Sequence, residues 1–195
     1  MDQRQFSRAE GSLRICAQKA DALEKAIFAA DAWHLWSEFL IEHQRWFIRM
    51  RHALARGPSS AWHGKLLKVR RDDPMLQYME HARHADEHGL EDIATITGGI
   101  QIKGNGSKIP IKVQGRITSD RIWMRATQGN KPAIVTSKPE DLEVKPVINR
   151  NIKYPVPLEH LQSPIGSKHP RVFARLSQDF MSARMYEVRE NFGLY

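Results

Sequence analysis

The chain has 195 residues, 41% of them apolar, which suits one large domain or one domain carrying an insertion. No apolar run approaches the ~18 residues that cross a bilayer, and no apolar signal core follows the polar start Met1-Asp2-Gln3-Arg4-Gln5, so a cytoplasmic protein without a membrane segment is expected. Cys16 is the single cysteine, which excludes an internal disulfide and a cysteine-based zinc site and fits a reducing compartment.

The net charge of +8 is unevenly spread. Residues 1–97 hold 14 Lys and Arg against 14 Asp and Glu, residues 98–153 hold 11 against 4, and residues 154–195 hold 5 against 4. Seven of the nine histidines precede residue 97. A neutral, His-rich part is thus followed by a basic one.

Ser7-Arg8-Ala9-Glu10 has the form of a capping box and marks a helix start. Leu13, Cys16, Ala20, Leu23 and Ile27 follow at helical spacing, and that stripe places Cys16 in a core rather than at a reactive site. A second helix is expected from about Trp33 to Leu54, with Asp31 as the break and cap between the two. Its aromatic residues Trp33, Trp36, Phe39, Trp46 and Phe47 read as core packing. Arg56-Gly57-Pro58-Ser59-Ser60 ends it. A loop with Lys65, Lys68, Arg70 and Arg71 is then expected before Asp73 caps, and Pro74 begins, a third helix running from Met75 toward Ala94.

From Gly98 the apolar period changes to two. Ile100 and Ile102, then Ile109, Ile111, Val113 and Ile117, then Ile122, Met124 and Ala126 alternate with polar residues, and Gly104-Asn105-Gly106 and Thr118-Ser119-Asp120 supply turns. Shorter runs at 133–136 and 142–148 can add strands. The pattern predicts an antiparallel meander with one apolar and one polar face. Tyr154-Pro155-Val156-Pro157 is extended, and a last amphipathic helix starts near Pro170 and ends at Gly193. The expected fold class is α+β: a bundle of about four helices over 1–97 and 154–195, interrupted between the third and fourth by a basic β segment over 98–153.

The third helix contains Glu80-His81-Ala82-Arg83-His84-Ala85-Asp86-Glu87-His88-Gly89. Its apolar side comprises Met75, Met79, Ala82, Leu90 and Ile93, and Asp86 falls within that side. A carboxylate facing a core needs a partner, and Arg83, three residues back, is the expected one. His81, His84 and His88 lie on the opposite side with Asp92 nearby. Arg83, the polar His84, three further residues and His88 resemble the Arg-polar-x-x-x-His motif of HEPN domains, although Asn is commonest at the His84 position. The stretch also resembles uncharacterised bacterial proteins carrying an Ala-Arg-Asn-Ala-Asp-Glu-His-Gly element.

The resemblance implies a helical bundle, dimerisation and metal-independent RNA cleavage without a cofactor. It gives His88 a role in proton transfer at the ribose 2′-hydroxyl. Arg83 would stabilise charge on the phosphoryl oxygens, His84 would orient RNA or His88, and Asp86 and Glu87 would support them. Five residues of offset separate Arg83 and His88 by about 140° around one helix, so a site shared across a homodimer suits them better. Two other readings stay open. One is a non-enzymatic nucleic-acid- or protein-binding module with a structural Arg83–Asp86 pair. The other is a metal site on His81, His84 and His88.

The polar side of the meander carries Lys103, Lys112, Arg116, Arg121, Trp123 and Arg125. Trp123 stands between two arginines on one strand, all three on one face because the side-chain period is two. Cations with an interleaved aromatic suit single-stranded nucleic acid: phosphates are neutralised and a base is stacked. The competing reading is a solvated sheet face whose charges guard its edges.

Overall fold

The computed structural model describes residues 1–55, 57–87, 92–103, 111–117, 122–128 and 131–193. The described residues form an α+β structure with five α-helices and small antiparallel sheets, and the chain divides into two compact units. One comprises residues 1–96 and 142–195, and the other residues 97–141. No helix among the described residues is long and apolar enough to cross a membrane.

In the larger unit, α1 (Gln3–Lys25) buries Phe6, Ala9, Ser12, Cys16, Ala20 and Leu23 along one stripe. It begins earlier than the Ser7-to-Glu10 box suggested: Asp2 is the cap, its carboxylate accepting from the Gln5 amide at 3.0 Å. Glu10 instead pairs with Arg189 at 2.6 Å. The chain breaks at Ala26–Phe28, which are extended at both caps, before α2 (Ala29–Leu54). Asp31 lies in the first turn of α2 and is not its cap. Trp36, Phe39, Trp46 and Phe47 are all buried core residues, as their spacing predicts, and Trp33 packs partly buried against them.

The segment expected as a basic loop is a helix. A 3₁₀ turn at Gly57–Ser59 leads into α3 (Ser60–Asp72), whose basic residues mask a stripe of Trp62, Leu66 and Val69 packed on the core. Asp73 then caps α4 (Pro74–Glu87), accepting from the Leu76 amide at 2.9 Å, with Pro74 in first position. The expected third helix therefore ends at Glu87 within the described residues, and Ala94 already belongs to a strand. Tyr78 of α4 donates from its hydroxyl to the Lys145 carbonyl at 2.8 Å, and burial pushes its phenol pKa far up. Two short antiparallel hairpins, β6 (Val147–Asn149) with β7 (Ile152–Tyr154) and β8 (Glu159–His160) with β9 (Ser163–Pro164), pack on α4 through β6 and β8. Both turn through two residues with positive φ, Arg150–Asn151 and Leu161–Gln162, the backbone that matches strand twist in two-residue loops. The last helix, α5 (Pro170–Phe192), starts at the His169 cap and ends where Gly193 takes φ 62°, as expected.

In the smaller unit, β2 (Ile111–Ile117), β3 (Ile122–Gln128) and β4 (Lys131–Pro132) form an antiparallel sheet in sequence order. Among the described residues the strand expected to open the meander, β1 (Ala94–Lys103), pairs with β5 (Ile134–Val144) and not with the ribbon. The expected turns at Gly104-Asn105-Gly106 and at Thr118-Ser119-Asp120 both lie outside the described residues.

Candidate functional site

Three placements bear on function, two on α4 and one on the β2–β3 ribbon. The α4 residues come first. Arg83 and Asp86 are not paired with each other. Arg83 forms an ion pair with Glu87 at 2.6 Å, one turn on, where the longer glutamate reaches the guanidinium along the helix surface. Asp86 is turned toward α2 and accepts from the Ser37 hydroxyl. The carboxylate on the apolar side of α4 thus finds a neutral donor across the helix pair rather than a cation on its own helix. Glu87, expected to support a catalytic site, holds Arg83.

His84 is half-buried on the same helix. Burial and the neighbouring Arg83 charge hold its pKa below the ordinary imidazole value, with Glu80 and Glu87 opposing them. His88 lies outside the described residues, so the third member of the expected Arg83, His84 and His88 set is not placed. The metal reading needs the same His88 beside His81 and His84; among the described residues no three His, Cys, Asp or Glu side chains are grouped to hold a metal.

His81 occupies a setting that its helical spacing did not reveal. Its Nδ1 lies 2.9 Å from Asn149 Nδ2, and its ring stacks on Tyr154 with centroids 3.6 Å apart. Asn149 and Tyr154 come from β6 and β7, more than sixty residues away in sequence. Burial chiefly, then Arg and His charges around it, lower the His81 pKa. Glu80 beside it is ion-paired to Arg70 at 3.2 Å, and Arg70 also bonds Gln44 and lies over the Phe47 ring.

On the ribbon, the pairing register decides which positions share a face. Lys112 stands opposite Thr127, Gln114 opposite Arg125, and Arg116 opposite Trp123. Directly paired positions of antiparallel strands lie on the same face, so these six form one face, and none of them is acidic. Ile111, Val113, Gly115 and Ile117 pair with Gln128, Ala126, Met124 and Ile122 on the other. Gln114 and Arg125 are exposed, while Ala126 and Gln128 are buried. The second face is less uniform than expected, since Val113 is 46% exposed and a buried glutamine sits on it. Lys103 is exposed but ends β1, so it belongs to the β1–β5 pair and not to the ribbon. Arg121 lies outside the described residues.

Cys16 is fully buried, and burial together with the Glu42 charge pushes its thiol pKa far up, which leaves it inert at neutral pH. Compared with family models, curated proteins and solved structures, the chain matches none of them.

Proposed function

We propose that the β2–β3 ribbon binds single-stranded nucleic acid, RNA foremost, through the face bearing Lys112, Arg116, Trp123 and Arg125. The register supports this reading: positions 112, 116, 123 and 125 fall on the same side of the pairing, and the sequence puts no carboxylate among them. Phosphates would be neutralised by the cations and a base stacked on Trp123, a mode that tolerates many sequences. The test is binding of a labelled single strand to the whole protein across a salt series. A steep fall of affinity with salt is expected; salt-independent or absent binding overturns the reading.

A second reading, RNA cleavage on the helical unit, rests on α4. It is favoured by His84 standing beside Arg83 on one helix, where burial and the Arg83 charge lower the imidazole pKa and leave the ring neutral. In this reading the 2′-hydroxyl gives its proton to an imidazole of the His84 and His88 pair. The O2′–P bond forms, the P–O5′ bond breaks, and O5′ leaves with a proton from the other imidazole. Arg83 would exchange Glu87 for a phosphoryl oxygen, and a homodimer would let His88 of one copy serve Arg83 of the other. Incubation with mixed RNA in EDTA tests it. Cleavage to cyclic phosphate ends, lost in His84→Ala and His88→Ala, is expected. No cleavage by wild type leaves the protein a binding module, and cleavage abolished by EDTA favours a metal.

A further inference from the structure

His81 is held far more firmly than a solvated helix-surface histidine needs to be. Asn149, itself 8% exposed, directs its side-chain nitrogen at Nδ1, and Tyr154 covers one face of the ring. An amide donating to Nδ1 occupies that lone pair, so the ring proton sits on Nε2. A neutral imidazole in that tautomer offers one fixed N–H donor and no free lone pair, which suits an anionic oxygen and does not suit a metal ion. The His84 ring lies one turn on, with centroids 6.5 Å apart. At that spacing, a phosphoryl group can receive hydrogen bonds of about 2.7–3.2 Å from both rings.

Arg150, at the turn of the β6–β7 hairpin, is exposed with φ 51° and acts electrostatically on both imidazoles. The other charges acting on the pair are Arg70 and Glu80 at His81 and Arg83, Glu80 and Glu87 at His84. Glu80 and Glu87 are engaged by Arg70 and Arg83, which leaves less negative charge to repel an anion.

We propose that His81, His84 and Arg150 form a phosphoryl-binding site where α4 meets the β6–β7 hairpin, with His81 Nε2–H as a fixed donor positioned by Asn149. The site deepens the cleavage reading by naming the groups that hold the phosphoryl group, and it rests on that reading only for the ligand being an RNA strand. A free phosphomonoester presents the same chemistry.

The experiment is nitrogen-15 spectroscopy of the imidazoles in the full chain at pH 7, titrated separately with inorganic phosphate, a 3′-mononucleotide and a short 2′-deoxy-blocked oligonucleotide. His81 should show the Nε2–H tautomer before any addition. His81 and His84 should then shift saturably while the exposed His34 and His52 do not. Tighter response to the oligonucleotide assigns the site to a strand, and equal response to the monoester assigns it to a free phosphate ester. Arg150→Gln should weaken the response about tenfold, equivalent to ~1.4 kcal/mol. Asn149→Asp, which replaces the donor by an acceptor, should move the proton to Nδ1 and weaken phosphate binding with the fold retained. Unmoved His81 and His84 signals, or equal shifts at all four histidines, overturn the site. RNA cleavage in EDTA with unmoved signals removes the site and keeps the cleavage reading; saturable shifts without cleavage do the reverse.

Discussion

Asp73 and His160 are 87 residues apart in sequence, and their side chains meet at 3.0 Å between Oδ1 and Nδ1 with both residues buried. The same carboxylate accepts from the Leu76 amide at 2.9 Å and from the Leu161 amide at 2.7 Å. One side chain therefore caps α4 and anchors the β8–β9 turn, where Leu161 has φ 48°. Burial pulls the Asp73 pKa upward, but the hydrogen bonds from His160, Leu161 and Leu76 outweigh it and hold the carboxyl below its usual range.

Asp73→Ala should cost about 3 kcal/mol, because three donors lose their acceptor, two in buried contacts and the third in a partly buried one. Asp73→Asn retains one acceptor oxygen and should cost clearly less. Urea denaturation at pH 7 measures both. Loss within ~0.5 kcal/mol for the alanine variant would mean that the three contacts are not maintained in solution.

His43 should make the protein acid-sensitive. It is fully buried between Phe39 and Phe47, and neither ring nitrogen has a hydrogen-bond partner among the described residues. Burial first, then the Arg70 and His160 charges, push its pKa down to about 3. The unfolded chain takes up a proton near pH 6.5 that the folded chain refuses. This stabilising contribution is therefore complete above about pH 6.5 and is lost as pH falls toward the folded value. The slope is about 1.4 kcal/mol per pH unit, so on the order of 2 kcal/mol should disappear between pH 7 and pH 5. His43→Leu should remove that slope, read from urea midpoints at the two pH values. His81 and His84 shift in the same direction and remain in the variant, so the difference between wild type and variant is the quantity to compare.

The Asp86 contact predicts a particular coupling. A double-mutant cycle between Ser37→Ala and Asp86→Ala should give about 1 kcal/mol of interaction energy. The cycle between Arg83→Gln and Asp86→Ala should give less than ~0.3 kcal/mol, since Arg83 is paired with Glu87. Thermal or urea unfolding of the six proteins decides it, and a larger Arg83–Asp86 term than Ser37–Asp86 term would reverse the assignment.

These contacts mark where the sequence was legible. Apolar stripes read largely correctly because burial repeats along a helix: Cys16, Ala20 and Leu23 in α1 and Trp36, Phe39, Trp46 and Phe47 in α2 are core, but Ile27, expected to close the first stripe, lies past the end of α1 and is 83% exposed. The Asp73-Pro74 start read correctly because a cap is a local arrangement. The helix over Ser60–Asp72 did not, because Trp62, Leu66 and Val69 are a thin stripe among basic residues. The partner of β1 did not either, since strand pairing is non-local and a glycine-rich turn argues only for its immediate neighbours. The same limit hid Ser37 from Asp86 and Asn149 and Tyr154 from His81: a helical wheel gives the direction of a side chain and not what another element brings to it.

The ribbon makes a prediction in which stacking and charge separate. Trp123→Ala should weaken single-strand binding by ~1–3 kcal/mol at fixed salt, the worth of one stacked base, while leaving the slope of affinity against salt nearly unchanged. Arg125→Gln removes a charge from an exposed position opposite Gln114. It should flatten the slope by about one phosphate's worth of released counterions and weaken binding most at low salt. Arg121→Gln combined with Arg125→Gln should flatten it by about two. Lys103→Gln, in the β1–β5 pair, should change the slope less than Arg125→Gln does, because the register places Lys103 off the ribbon. Fluorescence anisotropy of a labelled oligonucleotide across a salt series measures all four. If Trp123→Ala and Arg125→Gln both bind like wild type at every salt concentration, the basic face is only solvated and the ribbon does not bind nucleic acid.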